Sequence, residues 1–173
     1  HMKHPESELY GGIAPALEAR GAPGFAEQLE ALAEAVESEA PLDQVEAAYA
    51  AVQDGIAEAE AAAGEGDAQR QGAVILGLLR TAAEEFDIAV EEGRMVNAHE
   101  YQDALGFTVV AEAKAAELMR RHPDSEAAAD IAARIAEIKP AWPSVMPPEE
   151  IETDPSLLYG AAARVEIATL DLE

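Results

Sequence analysis

The chain has 173 residues; 49% are apolar, only 5% are aromatic, and none is cysteine. Thirty-five acids stand against eleven bases, a formal net charge of −24. These values exclude disulfides, thiolate metal sites and cysteine nucleophiles, and a field of that sign repels nucleic acid and anionic membrane surfaces while attracting cations or basic partners. Solubility alone is the plain alternative reading of the acidity. The length suffices for a real core, and much of the apolar content is alanine, the strongest helix former. Strand material is sparse. The expected class is all-α.

His1-Met2 is read as an expression-vector remnant, with residues 1–5 set aside as remnant and frayed terminus. Tyr10, Ile13 and Leu17 recur at helical spacing and predict a short first helix ending near Gly21. Phe25, Leu29, Leu32 and Val36 predict a second from about Pro23 to Glu39. Leu42, Val45, Tyr49, Val52 and Ile56 predict a third, closed by Gly64-Glu65-Gly66. Val74, Ile75, Leu78, Leu79, Ala82, Phe86 and Ala89 mark the longest, with Gly93 as its expected C-terminal cap. Asn97 is placed to cap the next helix, which carries Tyr101, Leu105, Thr108, Ala111, Ala115, Leu118 and Met119 and stops at His122-Pro123. Ile131, Ile135 and Ile138 define a sixth.

The proline-rich stretch 139–154 cannot continue a helix. Trp142, among its prolines, is expected to plug that segment onto the bundle, and Glu149, Glu150, Glu152 and Asp154 to form a solvated run. Asp154-Pro155 is a helix start signal for a final helix through Leu157, Leu158, Ala161, Ala162 and Val165. Short links favour antiparallel neighbours. The expectation is an up-down antiparallel bundle of about four long helices plus shorter terminal ones: 6–138 as the bundle, 139–154 as connection, and 155–173 as a helix packing on it. The longest apolar run, Gly72 to Leu79, is far short of the roughly 20 residues of a membrane span.

Residues 84–103 hold seven acids and one base, Arg94. With Glu100 at zero on a helical wheel, Leu118 falls at about 0°, Ala111 at about 20°, Phe107 at about 340° and Ala104 at about 40°. Glu100 therefore points as the core residues point. Asp103 lies one turn on and can share a site with it. Glu85 borders the stripe of Leu78, Ala82 and Ala89, and Glu92 is expected two turns further along the same side. Carboxylates converging without enough bases invite a hard cation. The plainer alternative is a capping box, Glu100 folding back onto the Asn97 N–H, with Glu91 and Glu92 as solvated charges.

The pattern Phe86-x-x-Ala89-Val90-x-x-Gly93-x-x-Val96-Asn97-x-x-Glu100-Tyr101-x-Asp103-x-x-x-Phe107 resembles the motif of the extracytoplasmic helical domain associated with bacterial iron permeases of the Ftr type. Glu85-Phe86-Asp87 stands where that family has Asp-Tyr-Pro, Asp103 where it has a second Glu, and Ala104 where it often has Met. The resemblance implies a periplasmic or extracytoplasmic domain serving iron uptake. Its likeliest ligands for iron or another divalent cation would be Glu85, Glu100 and Asp103, with Glu92 and His99 as weaker candidates. Its partners would be the metal ion and the permease membrane domain or an accessory periplasmic protein, and not nucleic acid.

No Glu-x-x-His pair occurs, so a ferritin-like di-iron centre is not expected, and no phosphate loop, nucleophile elbow or zinc-protease motif appears. No catalytic residue is expected. His122, before a proline at a helix end, is expected to meet the last carbonyls. Glu60 and Glu112 border apolar positions and either complete a site or pair with a base. The competing function is an acidic interaction module that docks a basic partner and has no metal site; an enzyme using paired acids is a weaker third.

Overall fold

In a computed structural model, residues 10–64 and 66–173 are described, and the chain divides into two compact units after residue 65. That boundary falls inside the 6–138 stretch read above as one bundle, and the expected frayed start, 1–5, lies outside the described residues.

The first unit contains α1 (Gly11–Ala19), α2 (Ala26–Glu37) and α3 (Leu42–Ala63). Its buried core is small, with Phe25, Leu32, Val52 and Ala59 at its centre. Tyr10 packs edge-on to Phe25 at 5.0 Å, and its hydroxyl accepts the Phe25 N–H at 3.2 Å. Gly55 is required by close approach: a Cβ there would lie 2.7 Å from the Phe25 Cβ, nearer than two carbons can pack.

The second unit contains α4 (Ala68–Ala89), a two-strand hairpin of β1 (Val90–Glu91) and β2 (Arg94–Met95), α5 (Ala98–Arg121), α6 (Glu126–Ile138), a 3-10 turn (Lys139–Ala141) and α7 (Ser156–Thr169). Helix α4 packs on α5, α5 on α6 and α6 on α7, and α7 closes back on α4. The all-α, up-down expectation is realised here as a four-helix bundle. Asp67, Asn97 and Ser125 cap α4, α5 and α6 by accepting the N–H of Arg70, His99 and Ala128. Asp154 accepts the Ser156 N–H at 2.8 Å, as its start signal predicts. The core combines large side chains (Ile75, Leu79, Phe86, Leu118, Ile135, Leu158) with buried alanines, Ala83, Ala104 and Ala111 among them, that let helix backbones approach.

The α4–α5 link differs from the sequence expectation. Gly93 does not cap α4. The helix ends at Ala89, and Val90 takes an extended conformation, φ −124° and ψ 119°. Glu92 and Gly93, at φ 51° and 77°, form the two central residues of the hairpin. Positive φ at both is the requirement of a type I′ turn, and only glycine meets it without cost. Opposite charges, Glu91 and Arg94, stand across the hairpin next to the turn. The segment after Trp142 is also more ordered than a solvated linker. Met95 donates its N–H to Glu149 O at 3.0 Å, Ile151 donates to Gly93 O at 2.9 Å, and Ile151 is buried. Glu149, Glu150 and Glu152 remain exposed, as expected of that run.

Trp142 is the expected plug. It packs edge-on to Phe86 at 5.3 Å and donates its indole N–H to the Tyr101 carbonyl at 3.2 Å. Tyr101, fully buried, donates its hydroxyl to Ser144 O at 2.9 Å. The two bonds tie the proline-rich strap to α5 from both ends of one residue. Trp142→Ala is expected to destabilise the protein by about 3 kcal/mol or more through lost burial and the cavity left behind. Trp142→Phe should cost less, since it keeps most of the ring and loses the N–H bond. Urea unfolding followed by circular dichroism measures both; equal stability of Trp142→Ala and wild type would show that the strap carries no packing energy.

Candidate metal centre

The α4–α5 junction is held by one backbone group. The Ala89 carbonyl, the last of α4, accepts the N–H of Val96 at 2.9 Å and of Asn97 at 3.2 Å. The chain therefore leaves α4, turns through the hairpin and returns to the same carbonyl before α5 begins. The last turns of α4 and the first turn of α5 lie side by side as a result. Glu84 and Glu85 sit on the former, Glu100 and Asp103 on the latter.

Glu85 and Glu100 meet at hydrogen-bonding range. Two carboxylates make that contact only if a proton lies between them. Burial, first, and then the Glu100 hydrogen bond and the charges of Glu100, Asp103 and Glu84 raise the Glu85 pKa. Every charge named there is another carboxylate. Asp103 is raised as well, by burial and then by the Glu100 charge, with His99 acting in the opposite direction.

Glu85, Glu100 and Asp103 are thus brought to one place, each half-buried. Glu92 is not with them. Because α4 ends at Ala89, Glu92 occupies the exposed hairpin turn rather than a further position on the helix. His99 is exposed and near enough to Asp103 to favour its charge. The capping box is not formed: the Asn97 N–H goes to Ala89, and Glu100 instead accepts from the Asn97 side-chain amide at 3.4 Å. Glu84 was not singled out by the sequence; its signal was its place one residue before Glu85. Asp87 is taken by another contact, accepting from Tyr159 of α7, whose pKa is raised by burial and then by Asp87 and Glu84. Glu112 pairs with Lys139 at 2.7 Å. Among the described residues, no group of three or more His, Asp or Glu side chains is set closely enough to enclose a metal ion as it stands. What is assembled is a pair of neighbouring carboxylates, Glu85 and Glu100, with a third, Asp103, one turn along α5.

Residues 62–169, well over half of the chain, match the iron permease-associated 4-helix bundle domain. The chain belongs to this family. The family's four helices are α4 to α7, and the carboxylate pair of the iron permease-associated bundle lies within the matched segment. No curated protein and no solved structure matches the chain. No helix among the described residues is long and apolar enough to cross a membrane.

The two raised carboxyl groups make stability depend on pH. Each binds its proton more tightly folded than unfolded, so their contribution is fully present at acid pH. It is lost as pH climbs from the ordinary carboxylate range through the raised folded values. Glu85→Gln, neutral at every pH, is expected to flatten that decline and to melt above wild type at neutral pH. A lower melting temperature for Glu85→Gln than for wild type at pH 7 would contradict the shared proton.

Proposed function

We propose that this domain captures iron, or a divalent ion of similar hardness, on the extracytoplasmic side of an iron permease and passes it on through Glu85, Glu100 and Asp103. The observation that carries this reading is the placement of Glu85 beside Glu100 among further carboxylates, every charge that shifts Glu85 being another acid. It occurs in a domain whose family is associated with iron permeases. A half-buried carboxylate pair without a base needs a positive charge; a proton supplies one, and a hard cation supplies more. Oxygen ligands suit iron, manganese, magnesium or calcium, and the preference for iron comes from the family rather than from the ligand type.

The chemistry is exchange rather than turnover. Cation arrival displaces the proton held between Glu85 and Glu100. Asp103, one turn along α5, closes toward the ion as a third ligand. Since few groups surround the ion, water completes its shell and leaves easily, which suits a carrier. The net charge of −24 raises the local concentration of cations around the whole domain. Partners of this reading are the permease membrane domain or an accessory periplasmic protein.

Calorimetric titration with Fe(II), Mn(II), Zn(II) and Ca(II), and with chelated Fe(III), tests it. Saturable binding with proton release is expected, and Glu85→Gln and Glu100→Gln should each weaken it by about ten-fold or more. Glu152→Gln, a change in an exposed acid of the strap, should leave it unaltered. Binding of equal strength in the Glu85 and Glu100 variants would remove these residues as ligands.

A further inference from the structure

Helix α3 carries an unbroken heptad pattern that the first unit uses only in part. Val45, Val52 and Ala59 form one row; Val52 and Ala59 are each 4% exposed. Leu42, Tyr49 and Ile56 form the companion row at the same seven-residue spacing. Leu42 is 71% exposed, Tyr49 51%, and Ile56 is only partly covered. A two-row seam normally lies against a partner along both rows. Here α2 packs on α3, and the first two positions of one row, Leu42 and Tyr49, are left facing outward one heptad apart.

Charge decides what fits that row. Residues 10–64 contain eleven acids and a single base, Arg20. A second copy of residues 10–64 would bring the same sign and be repelled, and residues 66–173 are acid-rich too, with twenty-one acids against nine bases. An occupant that buries Leu42, Tyr49 and Ile56 must therefore be apolar along one stripe and basic beside it. The family match starts at residue 62, so helices α1 and α2 and nearly all of α3 fall outside the permease-associated domain and are not explained by it. We propose that the outward row of α3 is a docking surface for a basic amphipathic helix of a partner protein, with the row supplying the apolar contact and the surrounding carboxylates the register and the rate of encounter.

A fluorescein-labelled Lys/Leu amphipathic peptide of about 20 residues, enough for nearly three heptads, is the probe, with anisotropy measured on the full chain. Saturable binding that weakens on adding salt is expected, together with amide shift changes centred on residues 42–56. Tyr49→Glu and Leu42→Glu should each weaken binding roughly ten-fold through the lost apolar contact. Both add an acid, so simple charge adsorption predicts equal or tighter binding instead, and that result overturns the proposal. Should either variant lose helix content, the shift map on wild type decides: changes confined to residues 66–173 also overturn it. So does a wild-type dimer in sedimentation that Tyr49→Glu dissolves, because the row would then be filled by a second copy.

Discussion

The α4–α5 junction depends on the Ala89 carbonyl, which accepts two N–H groups from the chain that has just left it. A helix normally ends with four carbonyls in need of donors. Here one of them is used to fold the chain back, and the distance between two helix ends is fixed by backbone alone. The aromatic cluster reinforces that junction: Phe86 one turn before the end of α4, Tyr101 one turn into α5, and Trp142 of the strap against both. Carboxylates on either side of this junction are held close enough that Glu100 and Asp103 raise the pKa of Glu85.

Elsewhere the acidity is handled by ordinary pairing. Arg80 with Glu166, Arg164 with Glu137 and Lys139 with Glu112 join separate elements of the bundle, and Arg134 lies between Asp130 and Glu137 along α6. These exposed pairs contribute little energy individually. Their relevance is to where bases have been spent. Within the second unit, bases stand on α4, α6 and α7, on α5 at Lys114, Arg120 and Arg121, and in the hairpin at Arg94, while the acids at the start of α5 are drawn against other acids. Residues 10–64 carry one base, Arg20, against eleven acids.

Much of this was legible in the sequence because helical periodicity, caps and breakers agreed. Each helix from α1 to α7 lies where its apolar spacing put it, and Asn97, Asp154 and the Trp142 plug behave as their residue types require. The hairpin was not legible. Val90 to Met95 is too short to show alternation, and Glu-Gly is a weaker turn signal than Asn-Gly or Asp-Gly, so Gly93 read as a cap and Glu92 was carried along a helix that had already ended. Glu100 pointing inward followed from its angle relative to Ala111 and Leu118. That Glu85 would reach it did not follow, because contact between two helices depends on how the link between them folds, and that link was the misread element.

Trp142 is the sole tryptophan of the chain, and Phe86 and Tyr101, which it packs on and bonds to, belong to the second unit. Its emission is consequently a one-sided optical signal. It responds when the strap lifts or the four-helix bundle opens, whereas the first unit has no tryptophan of its own. A single smooth fluorescence transition therefore does not demonstrate that both halves unfold together; a backbone probe read alongside it separates them.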